Sequence, residues 1–103
     1  MVFISKQAQA DLENIVVGLL GWSKVELTVD EVMQYVDDIV GICYQLGSAA
    51  YRRKATYTEH VKHGAYAYLY KRSRQTVWYI IYSVDGRGDI LVNKIISNHT
   101  TVS

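Results

Sequence analysis

The sequence predicts an α+β fold in the order β-α-α-β-β-β, a helical hairpin packed on a small, mostly antiparallel sheet. Three observations carry this expectation. Apolar residues recur at helical spacing in two stretches before Gly47 and lose that spacing after it. "TVDE", Thr28 to Glu31, has the spacing of a capping box, with a hydroxyl at the cap and a carboxylate three residues on. "TVWYIIYSVDGRGDILVNKIIS", Thr76 to Ser97, reads as two strands rich in β-branched and aromatic residues around a glycine-bearing turn.

Taken in order, Val2-Phe3-Ile4 is a short apolar strand. Ser5 suits a helix N-cap, because its hydroxyl can accept from an orphaned helical N–H. Ala8, Leu12, Ile15, Val16, Leu19 and Leu20 then form the apolar stripe of a first helix, with Gln9, Asp11, Glu13 and Asn14 between them and Gly21 at its end. A second helix buries Val32, Met33, Val36, Ile39, Val40, Cys43 and Leu46, and Gly47 stops it. Two helices with a short connection make an antiparallel hairpin. "SAAYRRKATYTEHVKHG" is polar and irregular, a loop with room for one short strand. "AYAYLYK" alternates, with Tyr66, Tyr68 and Tyr70 on one face and Ala65, Ala67 and Leu69 on the other. In "DGRG", Gly86 and Gly88 tolerate positive φ. The partly continuous apolar run of "DILVNKIIS" marks a central strand.

A chain of 103 residues is expected to form one domain over residues 1–103. Half of it is hydrophobic and a fifth charged, which excludes a disordered chain. No apolar run reaches the roughly 20 residues that span a bilayer. The opening "MVFISKQAQADLENI" lacks the basic start, apolar middle and cleavage site of a signal peptide. Cys43 is the only cysteine and can form no internal disulfide. Cytoplasm is the expected compartment, with no membrane partner.

The formal charge of +1 conceals a polarity. Residues 1–47 carry two basic and seven acidic side chains, a net of −5, and residues 48–103 carry nine basic and three acidic, a net of +6. Seven of the eleven Lys and Arg lie between Arg52 and Arg74: Arg52, Arg53, Lys54, Lys62, Lys71, Arg72 and Arg74. Tyr51, Tyr57, Tyr66, Tyr68 and Tyr70 are interleaved with them. Cations that pair with phosphates beside aromatics that stack on bases are the chemistry of nucleic-acid binding. The same residues, with His63, suit an acidic protein partner; the competing reading is a solvated loop beside ordinary sheet packing.

Three passages resemble the RelE/ParE superfamily of toxins from bacterial toxin–antitoxin (plasmid stabilisation) systems. "FISKQAQADLENI" is similar to the family's opening strand, serine and helix. "VWYIIYSVDGRGDILV" resembles its aromatic strand, acidic-Gly turn and apolar strand. "KIISNHT" resembles its closing strand. The resemblance implies a toxin of a type II pair, bound by a cognate antitoxin as a dimer or hetero-oligomer, acting on ribosome-associated mRNA as a metal-free mRNA interferase. The alternatives it leaves open are a ParE-like DNA gyrase inhibitor and a degenerate, non-toxic binding module of the same fold. The implied cleft cations are replaced here by Tyr79, by Tyr66, Tyr68 and Tyr70, and by His99 and Thr100.

Scission through a 2′-hydroxyl needs a base, a cation at the phosphate and an acid at the leaving oxygen. His99 is the candidate base or acid, because imidazole titrates near neutrality; the competing reading is a strand-end histidine bonded to backbone or water. Tyr79 could orient a base or donate a weak proton, or simply pack on a sheet face. His60 and His63 flank Lys62, but no further Cys or carboxylate completes a metal set. No cofactor and no metal are expected.

Overall fold

A computed structural model describes residues 1–21, 27–48 and 52–98. The elements are β1 (Val2–Ile4), α1 (Lys6–Gly21), α2 (Val29–Gln45), a one-turn helix α3 (Thr58–Val61), β2 (Tyr66–Lys71), β3 (Val77–Val84) and β4 (Ile90–Ser97). The strands form one mixed sheet in the order β1-β4-β3-β2, with β1 parallel to β4 and the other pairs antiparallel. β4 is central, as its apolar run predicts.

Both expected helix starts are present. The Ser5 hydroxyl accepts from the Ala8 N–H at 3.1 Å. Thr28 Oγ1 accepts from the Glu31 N–H at 3.1 Å while Glu31 Oε1 accepts from the Thr28 N–H at 3.2 Å, a complete capping box. Thr28→Ala removes an acceptor from an orphaned N–H and is expected to cost about 1 kcal/mol, readable by urea unfolding. The end of α2 differs from expectation. Gln45 is its last residue, Leu46–Ser48 tighten into a 3-10 turn, and Gly47 is not in the left-handed region. Among the described residues only Gly88 has positive φ, at 86° in the β3–β4 turn.

The helices lie on one face of the sheet. Ala8, Ile39, Cys43 and Leu46 meet Trp78, Ile80 and Tyr82 of β3 and Ile90, Val92 and Ile95 of β4 in one buried cluster. Met33, expected in this core, is instead 45% exposed, because the stripe that reaches the sheet runs through Val32, Val36, Ile39 and Cys43. Burial pushes the Cys43 thiol up to about 12. Since the thiolate is the nucleophile, Cys43 is expected to resist iodoacetamide at pH 8 in the folded protein and react after urea denaturation.

A register shift between Ile81 and Tyr82 leaves Asn93 of β4 without an opposite residue. This bulge changes the phase of β4, so that Ile90 and Val92 are buried before it and Ile95 and Ser97 after it. Next to it, the Asp11 carboxylate of α1 accepts from Lys94 Nζ at 2.8 Å and from the Ile95 backbone N–H at 2.9 Å. Asp11, expected on the polar side of its helix, is 6% exposed and ties α1 to the middle strand.

Candidate functional site

Residues 53–64 fold back over the sheet face opposite the long helices. Ala67 N–H donates to Arg53 O at 2.9 Å and Ala55 N–H to Ala65 O at 2.8 Å, a single bridge where a short strand had room to form. Between those anchors the chain makes α3. Tyr57 precedes it without a side-chain cap, and its carbonyl accepts from the His60 and Val61 N–H groups at 2.9 Å. Gly64 then passes so close to β3 that a Cβ there would lie 2.5 Å from Tyr82 O.

This fold-back buries His60 on the sheet. Its ring centre is 4.6 Å from that of Tyr79 and 5.0 Å from that of Tyr57, and the two tyrosines meet edge-on at 6.0 Å. His60 is 2% exposed, and its Nε2 has no hydrogen-bond partner among the described residues. Arg53, Lys54, Thr56, Ala67 and Leu69 complete the lining of a cavity of about 20 Å³, room for about one water. Burial, and then the charge of His63, hold the His60 imidazole below its ordinary value, against the opposing pull of Glu59. A histidine neutral in the fold but free to charge when unfolded makes stability fall on acidification, beginning near 6.5 and continuing through the lowered folded value. Thermal unfolding at pH 7.5 and pH 5 is expected to show a larger drop for the native chain than for His60→Gln.

The other candidate residues are distributed around this cluster. Tyr79 faces it. Arg53 and Lys54 are exposed and line it, and His63 is half-buried one turn edge away, its N–H donating to His60 O. Lys62 pairs with Glu59 at 2.9 Å. Arg52 lies toward Tyr82, whose phenol burial pushes up against the Arg52 charge. Arg72 is committed to the fold. It pairs with Asp38 at 2.6 Å, donates to Tyr70 Oη at 3.1 Å and sits 4.0 Å over the Tyr35 ring, whose hydroxyl accepts from Trp78 Nε1 at 2.8 Å. That ion pair holds the Asp38 carboxyl below the usual range. Lys71 and Arg74 are exposed at the end of β2 and in the following turn. His99 and Thr100 lie outside the described residues. The tyrosine ladder divides: Tyr66 stacks on Tyr82 and, with Tyr70, packs against the helix-side core, while Tyr68 is 38% exposed.

No protein-family model matches this chain, and no characterised protein shares significant sequence similarity with it. Among the described residues no group of three or more His, Cys, Asp or Glu could hold a metal, and no helix is long and apolar enough to cross a membrane.

A second concavity, of about 460 Å³, lies between α1 and the sheet, with Ile15, Leu19, Trp78 and Ile95 as its apolar walls. Its charged residues, Asp11 and Lys94, already pair with each other, so it offers apolar contact without a free reactive group. The His60 cavity offers the opposite: two cations for an anion, two tyrosine rings, and a neutral imidazole able to exchange a proton. His60 was singled out by sequence only as half of an incomplete metal pair. No local signal marked its burial: Tyr57 and Val61 beside it are exposed, and four residues are too few for periodicity to register.

Proposed function

We propose that this chain is the toxin of a type II toxin–antitoxin pair and arrests growth by ribosome-associated mRNA cleavage in the cytoplasm. The observation that carries the reading is the composition of the face opposite the helices, where Arg53, Lys54, Tyr57, Tyr79 and His60 line one cavity. Its supports are the resemblance to RelE/ParE toxins and the shared α+β order of elements. Arg53 and Lys54 meet the phosphates, Tyr57 offers a stacking face, and His60 or His99 holds the transferable proton. A cognate antitoxin neutralises the protein by covering this basic surface with an acidic segment. No metal enters the reaction, which runs on proton transfer and charge alone.

A gyrase-directed activity is the second reading, and one observation favours it: Tyr79 stands where the resemblance implies an arginine. Expression in bacteria without a partner protein tests both. Growth arrest with an immediate fall in translation supports the mRNA-directed toxin. Arrest with broken chromosomal DNA and continuing translation supports the gyrase reading, and undisturbed growth with folded protein defeats both and leaves a non-toxic binding module.

A further inference from the structure

We propose that His60 takes up a proton when a phosphodiester binds beside Arg53 and Lys54, which makes the Tyr57–His60–Tyr79 cavity a proton-linked anion site. The ligand class rests on the nucleic-acid reading above; the linkage rests on the cavity itself.

Two features of the cavity point to an anion. His60 Nε2 is buried with no partner among the described residues, a condition that costs free energy unless a water or ligand meets it. Arg53 and Lys54 are exposed on the same lining, and neither forms an ion pair among the described residues. An anion at the mouth satisfies the cations directly.

The charges around His60 explain why its protonation must wait for that anion. From the preceding segment come Arg53, Lys54 and the Tyr57 phenol; from α3 and its end come Glu59, Lys62 and His63; from β3 comes the Tyr79 phenol. β2 contributes only the apolar Ala67 and Leu69. Glu59 is the single acid in this set, and it is already paired with Lys62. At the imidazole the His63 charge outweighs the Glu59 carboxylate and adds to burial in keeping the ring neutral. A phosphodiester held at the mouth by Arg53 and Lys54 opposes the field of that charge. An opposite charge within about 4–6 Å of an imidazole raises its proton affinity by about one pH unit or more. By reciprocity the protonated protein then binds the anion about tenfold more tightly than the neutral one.

The test is a titration of the imidazole ¹⁵N resonances of the full chain, with and without the dinucleotide dTpdT. Its one phosphodiester keeps the same charge throughout, and without a 2′-hydroxyl it cannot be cleaved. The His60 midpoint is expected to rise by about one pH unit on saturation. Arg53→Ala with Lys54→Ala should abolish the rise. His60→Gln should bind dTpdT with an affinity that no longer strengthens on acidification. An unmoved His60 midpoint at saturation, or no binding of dTpdT, overturns the proposal on the native chain alone, whatever the variants do. A moved midpoint in a protein that does not arrest growth would sustain the site and defeat the toxin reading, and the converse result would do the reverse.

Discussion

Asp11→Ala is expected to cost about 3–5 kcal/mol of folding stability, a fall in Tm on the order of 15 °C or more for a domain of this size. Asp11 is 6% exposed, and its carboxylate receives three donors: Gln7 Nε2 at 3.0 Å, Lys94 Nζ at 2.8 Å and the Ile95 N–H at 2.9 Å. Removing it strands an ammonium group that is largely buried and leaves a buried backbone N–H of the central strand without an acceptor. These two costs separate experimentally. In a Lys94→Met background the stranded charge is gone, so Asp11→Ala should cost only the roughly 1–3 kcal/mol of the unmet Ile95 N–H. Asp11→Asn keeps an acceptor for that N–H and should fall between. Denaturant unfolding of the four variants checks the account, and a loss below about 1 kcal/mol for Asp11→Ala would show that the carboxylate does not fasten α1 to β4.

Gly64→Ala is the second large effect, about 3 kcal/mol, at the upper end of the usual cost of overpacking. A Cβ at Gly64 would stand 2.5 Å from Tyr82 O and 2.8 Å from Tyr82 C, backbone atoms of an inner strand that cannot rotate aside. The chain from Arg52 to Gly64 must then lift from the sheet, carrying His60 with it. Gly18→Ala is the matched control: its Cβ meets nothing within 4 Å, and the site lies in the last turn of α1, so that variant should gain about 0.5 kcal/mol. Calorimetry gives the stabilities, and the His60 imidazole resonance reports whether the fold-back has opened. Equal stability of Gly64→Ala and the native chain would contradict the close approach.

The parts of this fold that were legible in the sequence are those governed by local rules. The capping box at Thr28 and Glu31, the Ser5 cap and most of the apolar stripe of α2 depend on residues three or four apart, and the structure has them. The β3–β4 hairpin was legible because β-branched and aromatic runs flank a turn that Gly88 completes. What escaped notice depends on distant chain segments. Asp11 is polar by type, and its burial follows from a bulge at Asn93 more than eighty positions away that turns Lys94 and the Ile95 N–H toward it. Met33 fits a helical stripe but falls beside the face that the sheet covers. α3 has four residues and no capping side chain, so nothing local announces it, and His60 is buried only because Tyr79 and Gly64 bring the loop onto the sheet. The basic run from Arg52 to Arg74 looked continuous, yet Arg72 is spent on Asp38 and Tyr35 while Arg53 and Lys54 line the cavity. Charge clustering along a chain and clustering in space are different quantities, and here only part of the first became the second.

The most direct measurement of the central claim is a reconstituted translation reaction in which the purified protein is added to ribosomes paused on a defined message and the 5′ ends of the RNA are mapped by primer extension. New ends are expected within the codon held by the ribosome, absent when ribosomes are omitted and much reduced for Arg53→Ala with Lys54→Ala. Intact message and undiminished translation, in the presence of protein that is folded by circular dichroism, would contradict it.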